Sequence, residues 1–83
     1  MPSAEDVRDW IAAGLECEHL DVYGPDGVHF EALVVSSAFV GVNRVGQHRL
    51  VYKALAGRME EQIHALALKT MTPEEYREST TNG

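Results

Sequence analysis

The sequence has almost no cysteine, no long apolar run and, from residue 32 to 59, no acidic residue. The single cysteine, Cys17, excludes an internal disulfide and a metal centre held by several thiolates of this chain alone. No apolar run approaches the roughly 20 residues that a membrane span needs, and the first residues lack the basic start of a signal peptide. We therefore expect a cytoplasmic protein.

Charge is distributed unevenly along the chain. The net charge is −6, from 13 acidic and 7 basic residues, which argues against binding nucleic acid by bulk attraction to phosphates. The acid-free stretch nevertheless contains four basic side chains: Arg44, Arg49, Lys53 and Arg58. The sequence thus predicts an acidic protein with one basic face.

The first half of the chain predicts a helix followed by a β-hairpin. Apolar residues at helical spacing predict a helix over 3–15, with Ser3 as cap and Asp6 three residues later. Alternating apolar residues predict strands over 19–23 and 28–35. The turn residues of 24–27, Gly-Pro-Asp-Gly, join these strands into a hairpin.

The second half predicts a helical region, a buried strand and a short last helix. Over 44–61, Gly46 and Gly57 leave open one rod or a bent pair of helices. A strand is predicted over 63–69, and Thr72 with Glu75 marks the start of a helix over 73–77. The predicted fold is α+β, in the order α-β-β-α(α)-β-α, with a three-stranded mixed sheet in one domain of residues 1–78 and a frayed tail over 79–83.

Two of the four histidines are candidate metal ligands. His29 opens the second predicted strand and His64 opens the third, so two imidazoles would face one space if these strand ends lie on the same side of the sheet. Imidazole is a good ligand for iron, copper or zinc, but two ligands leave a site open, which points to a partner that completes it. We interpret His19 and His48 as polar groups hydrogen-bonded at the edge of the core.

No residue set predicts catalysis. Cys17 could act as a nucleophile beside a histidine, but neither an oxyanion-stabilising device nor a third orienting group is identifiable. A small apolar role between a helix and a strand is the favoured interpretation of Cys17. We therefore predict that the protein is not an enzyme and takes no small-molecule substrate.

The basic helical region raises a nucleic-acid alternative. Its side chains could contact phosphates, although a charged outer helix face is most often simply solvated. The Gly-Pro-Asp-Gly loop formally matches the G-x-x-G of a KH domain. It lies in a hairpin, however, and carries an acid where phosphates would need to approach, so we interpret this match as accidental.

Three stretches resemble the BolA family, and more closely its IbaG-like (YrbA-like) bacterial branch. They are V-H-F-E-A-L-V-V-S-S-A-F-V-G at 28–41, R-V-G-Q-H-R-L-V-Y-K-A-L at 44–55 and I-H-A-L-A-L-K-T-M-T-P-E-E-Y at 63–76. They occur in the family's order and spacing. The resemblance implies a class II KH-like fold without the KH nucleic-acid loop, in agreement with the predicted element order.

The resemblance also implies a partner and a cofactor. BolA-like proteins pair with monothiol glutaredoxins of the C-G-F-S type and share a bridging 2Fe-2S cluster, for which the glutaredoxin and a glutathione each supply a thiolate. The family's histidine ligand falls on His64, and its second ligand, in the loop between the first two strands, falls most naturally on His29. No such cluster is expected in the isolated chain, since one cysteine cannot hold it.

Family members are also described as transcriptional regulators linked to acid stress and cell shape, with DNA contacts on the helix pair. That alternative would place Arg44, Arg49 and Lys53 on phosphates. Our first hypothesis is a non-enzymatic adaptor for iron–sulfur cluster trafficking, iron homeostasis and stress response. DNA binding is the second, and a stand-alone zinc or copper site at His29 and His64 is a distant third.

Overall fold

The computed structural model describes residues 2–58, 62–63 and 65–81. Helix α1 spans Ala4–Gly14, and a reciprocal pair of hydrogen bonds caps its start. Ser3 Oγ accepts from Asp6 N at 3.1 Å, and Asp6 Oδ2 accepts from Ser3 N at 2.9 Å. These bonds satisfy two of the backbone donors that a helix start leaves free, so the predicted cap is confirmed.

A three-stranded mixed sheet forms the centre of the fold. Strands β1 (His19–Tyr23) and β2 (His29–Val35) are antiparallel, as the hairpin predicted, and β3 (Ala65–Met71) pairs with β2 in parallel. The strand order is β1-β2-β3. β3 begins and ends two residues later than predicted, because its register continues until Met71 lies opposite Val35.

One face of the sheet packs against the helices to form the core. Alternate β2 residues Phe30, Ala32 and Val34 are buried on this face, because every second side chain of a strand points to the same side. They share a cluster with residues from β1, α1, α2 and the flanking segments: Leu20, Val7, Ile11, Val51, Leu55, Phe39 and Ile63. This arrangement leaves the opposite face to the side chains of the other register, which include His19, Tyr23 and His29.

Helix α2 (Arg44–Leu55) follows a short 3-10 helix, Ser37–Phe39. Asn43 caps it, accepting from Gly46 N at 2.8 Å. It ends at Leu55 because Ala56 and Gly57 both have positive φ, 52° and 86°. The single-rod alternative over 44–61 is therefore wrong, and residues 59–61, where a second helix of the pair would continue, lie outside the described residues.

Helix α3 (Pro73–Thr81) starts where the sequence predicted. Thr72 Oγ1 accepts from Glu75 N at 3.2 Å, and Glu75 Oε1 accepts from Thr72 N at 2.8 Å. The helix is longer than predicted, and the expectation of a frayed tail is wrong for residues 79–81, which are helical; residues 82–83 are not described. No helix in the described part of the chain is long and apolar enough to cross a membrane.

Candidate metal-ligand site at the edge of the sheet

His29 lies at the end of the sheet where the two parallel strands, β2 and β3, begin. It is the first residue of β2, and its pairing partner Ala65 is the first residue of β3. The second and third strands therefore open on the same side of the sheet, which is the condition under which the sequence would bring the two imidazoles to one space. His64 directly precedes Ala65 in the sequence but lies outside the described residues, so its role as a ligand stays a prediction.

The turn before His29 is built to hold a fixed shape. Gly27 N donates to Gly24 O at 3.4 Å, and Gly27 has φ 72°, a left-handed conformation that glycine adopts without strain. A Cβ added to Gly24 would lie 2.3 Å from Phe30 Cδ1, so the turn packs directly on a core side chain. The loop is therefore anchored to the core beside His29.

Asp26 in this turn uses both carboxylate oxygens on the start of β2. Oδ1 accepts from the backbone N–H of Val28 and of His29, both at 2.8 Å. Oδ2 accepts from His29 Nδ1 at 3.0 Å. These bonds hold the pKa of Asp26 well below its usual range, and the bond to the His29 ring is the largest cause. The carboxylate is therefore charged at neutral pH.

Among the described residues, the other ring nitrogen of His29, Nε2, has no hydrogen-bond partner. The His29 side chain is 74% exposed, and Nδ1 is the ring nitrogen that faces Asp26. A neutral imidazole in this state offers the lone pair of Nε2 to a metal ion, with a carboxylate behind the opposite nitrogen, as metal-bound histidines commonly have. The donor chemistry of His29 therefore fits an iron ligand.

The described residues do not complete a metal site by themselves. Among residues 2–58, 62–63 and 65–81, no three His, Cys, Asp or Glu side chains come together in a way that could hold a metal ion. A metal at His29 would need further ligands from His64, from another molecule, or from both.

Cys17 lies at the other end of the sheet. It precedes His19, which pairs with Val35 at the far end of β2 from His29. Six residue steps of a strand separate these ends, roughly 20 Å. The Cys17 thiol is half-buried and donates to Leu15 O at 3.3 Å, so Cys17 does not belong to the site at His29.

The remaining two histidines differ in their hydrogen bonding. His19 Nε2 bonds to Asp21 Oδ2, and its ring stacks on Tyr76 of α3 with centroids 4.6 Å apart. The interpretation of His19 as a hydrogen-bonded edge residue is confirmed. The same interpretation is wrong for His48, because its Nε2 is buried without a hydrogen-bond partner in the part of the chain that the structure describes.

The four basic residues divide into two pairs. Arg44 Nη1 donates to Thr70 O at 2.9 Å, and the Arg58 guanidinium lies over the Trp10 ring, 4.7 Å from its centroid. Arg49 and Lys53 are exposed, one turn apart on α2, and neither forms a salt bridge within the described residues. Within the described ranges, the charged groups of Arg49 and Lys53 therefore have no hydrogen-bond or ion-pair partner.

Asp26 is the site residue that sequence reasoning missed. The sequence carried a signal for it, since aspartate in a tight turn often bonds to backbone N–H groups two residues later. The same spacing brings its second oxygen to the histidine three residues on. From the sequence alone, Asp26 is interpreted only as an acid that would repel phosphates.

The fold and the sheet edge together define a small α+β domain that presents an open imidazole and lacks a complete metal site among its described residues. The chain belongs to the BolA-like family. The family model described as BolA-like protein matches residues 12–75, most of the chain.

Relatives and solved structures agree with this assignment. The chain is 37% identical over 78 residues to BolA-like protein 2 of Mus musculus, covering 89% of this chain and 90% of the relative. It is 44% identical over 50 residues to the DNA-binding transcriptional regulator BolA of Vibrio cholerae serotype O1, but the match spans only 60% of this chain and 47% of that relative. A bolA protein homologue from Coxiella burnetii has a similar structure, with TM-score 0.78, 44% identity and coverage of 93% and 99% of the two chains.

Proposed function

We propose that this protein is a BolA-like adaptor that binds a monothiol glutaredoxin of the C-G-F-S type. In that complex His29 and His64 would supply ligands to a 2Fe-2S cluster shared with the glutaredoxin and a glutathione. The proposed role is iron–sulfur cluster trafficking, iron homeostasis and stress response rather than catalysis. The observation that carries the proposal is the position of the exposed His29 ring. Its Nδ1 bonds to Asp26, and it lies at the end of the sheet where β3 begins, one residue after His64.

The geometry favours a shared cluster over a stand-alone metal site. His29 is exposed on the open face of the sheet, so a second protein can reach its ring without displacing core residues. Two imidazoles alone bind a metal ion weakly, whereas a partner that brings thiolates needs only such an incomplete edge. When bound, a 2Fe-2S cluster with mixed sulfur and nitrogen ligation would have a higher reduction potential than one held by thiolates alone.

The test is a spectral titration with a cluster-loaded C-G-F-S glutaredoxin. Visible absorption and circular dichroism should change when wild-type protein is added, and the change should be lost in His64→Ala and reduced in His29→Ala. His19→Ala is the matched control, because His19 lies at the opposite end of the strands and should leave the change intact. Absence of any change with wild-type protein would refute the proposal.

DNA binding is the second candidate function. It is favoured by the exposed pair Arg49 and Lys53 on α2 and by the name of the Vibrio cholerae relative. Arg44 is less available, because one guanidinium nitrogen is engaged by Thr70 O. The overall charge of −6 opposes this function.

A salt titration of DNA binding tests this candidate. If Arg49 and Lys53 contact phosphates, replacing both by alanine should reduce the slope of log K against log salt by about one unit for each lost contact. Arg58→Ala is the matched control, since Arg58 lies on Trp10 and should not alter the slope. An unchanged slope in the double variant would show that this face does not contact DNA.

A further inference from the structure

We propose that Asp26 is the positioning residue of the His29 ring, holding it in the tautomer that carries hydrogen on Nδ1 so that Nε2 is the ligand atom. The assignment of Nε2 to a cluster ligand rests on the proposed function. The choice of tautomer does not, and it can be measured in the isolated protein.

The tautomer follows from the bonding capacity of the carboxylate. Ionised Asp26 can only accept hydrogen bonds, and it already accepts two from the backbone through Oδ1. Oδ2 lies 3.0 Å from His29 Nδ1, so the hydrogen of this bond must be on the ring nitrogen. In the neutral ring the lone pair is then on Nε2, which points away from the carboxylate.

The same carboxylate also fixes the ring in space. The backbone of His29 is held by pairing with β3 and by the bond from its N–H to Asp26 Oδ1. The ring itself is 74% exposed, and Asp26 is its hydrogen-bond partner within the described residues. Removing a carboxylate that bonds to the second nitrogen of a metal-bound histidine typically lowers metal affinity or activity by about 10–100-fold.

The substitution Asp26→Asn gives a sharp test because it keeps the shape of the turn. The asparagine carbonyl oxygen can still accept from the N–H groups of Val28 and His29. Its amide nitrogen would then face Nδ1 as a donor, which favours a lone pair there and moves the hydrogen to Nε2. The variant should therefore invert the tautomer and block the ligand atom without unfolding the loop.

Long-range ¹H–¹⁵N NMR of the ring nitrogens at pH 8 measures the tautomer directly. We expect hydrogen on Nδ1 in wild type and on Nε2 in Asp26→Asn. Asp21→Asn is the matched control, because Asp21 contacts His19 and should alter that ring but not His29. Hydrogen on Nε2 of His29 in wild type would overturn the inference, and this measurement needs no variant.

The glutaredoxin titration separates this inference from the proposed function. Asp26→Asn should weaken the spectral change by about 10–100-fold in affinity, approaching the effect of His29→Ala. An unaltered titration in His29→Ala would overturn the ligand role of His29. A titration that depends on His29 while Asp26→Asn leaves both the tautomer and the affinity unchanged would overturn only the role of Asp26.

Discussion

Thr70 Oγ1 donates to Gln47 Oε1 at 2.6 Å, and both side chains are buried. Gln47 Nε2 in turn donates to Val42 O at 2.8 Å and, more weakly, to Phe39 O at 3.4 Å. This chain of bonds joins β3 to the first turn of α2 and to the segment before it. These bonds lie near the C-terminal end of β3, and the candidate site lies at its N-terminal end. They therefore fix the strand that begins beside His29.

Thr70→Val should destabilise the fold by about 1–3 kcal/mol. Valine has nearly the same shape as threonine, but it leaves Gln47 Oε1 buried without a donor. Urea unfolding of the two proteins measures the difference. Thr70→Ser is the control, since it keeps the hydroxyl and loses only one methyl group. A value for Thr70→Val within about 0.5 kcal/mol of wild type would show that the bond contributes little.

Gly14→Ala should also destabilise the protein, although the same change in an exposed helix usually stabilises it by about 1 kcal/mol. A Cβ at Gly14 would lie 2.7 Å from Ala54 Cα and 2.9 Å from Ala54 O, both backbone atoms. The end of α1 would have to move away from α2, at a cost of about 1–3 kcal/mol. Thermal or urea unfolding gives the sign.

A second substitution tests whether backbone contact is the cause. Ala54→Gly removes the Ala54 Cβ, which would itself lie 2.9 Å from the added Cβ, but it leaves the Ala54 Cα and carbonyl oxygen in place, so it should rescue Gly14→Ala at most in part. Full rescue in the double variant would show that the two helices are separated by a side chain rather than by direct backbone approach.

The elements that local sequence specifies could be predicted accurately. Both capping boxes, Ser3 with Asp6 and Thr72 with Glu75, use partners three residues apart, so the sequence alone determines them. The hairpin and the buried face of β2 follow from turn residues and alternation in the same way. The predicted position of His29, at the loop end of β2, is therefore confirmed.

Features that depend on distant partners, on a backbone conformation or on side-chain orientation could not be predicted. β3 extends to Met71 because Thr70 hydrogen-bonds to Gln47, which lies 23 residues earlier in the chain. Thr70 is polar, so the apolar pattern that predicts the strand does not include it. Helix α2 ends at Leu55 because Ala56 adopts a left-handed conformation that the sequence does not require. Asp26 was missed because a turn aspartate ordinarily bonds to backbone alone, and its contact with His29 depends on side-chain orientation.

Cys17 should react more slowly with iodoacetamide than a cysteine in a short peptide of the same flanking sequence. Burial, and then the charge of Glu18, raise the pKa of its thiol, and the thiolate is the reactive form. The midpoint of rate against pH should therefore lie above the peptide's midpoint and move down in Glu18→Gln. Unfolding in urea should restore the peptide value. A midpoint at or below that of the peptide would contradict this account of the Cys17 environment.

The start of α3 should make a contribution to stability that acid removes. The backbone N–H of Thr72, which donates to Glu75 Oε1 at 2.8 Å, is the main group that lowers the pKa of this carboxyl in the folded protein. Because the folded pKa lies below the unfolded value of about 4.3, the stabilisation is present above that value and is lost as pH falls through the folded pKa.

Comparison of wild type with Glu75→Gln isolates this effect. The glutamine oxygen can still accept from Thr72 N but carries no titrating charge, so wild type should be the more stable protein at pH 7 and the difference should shrink toward pH 3. Free energies of unfolding from urea titrations at several pH values measure it. Thr72→Ser keeps both capping bonds and should follow wild type. A difference that stays constant from pH 7 to pH 3 would mean that the Glu75 charge does not stabilise the helix start.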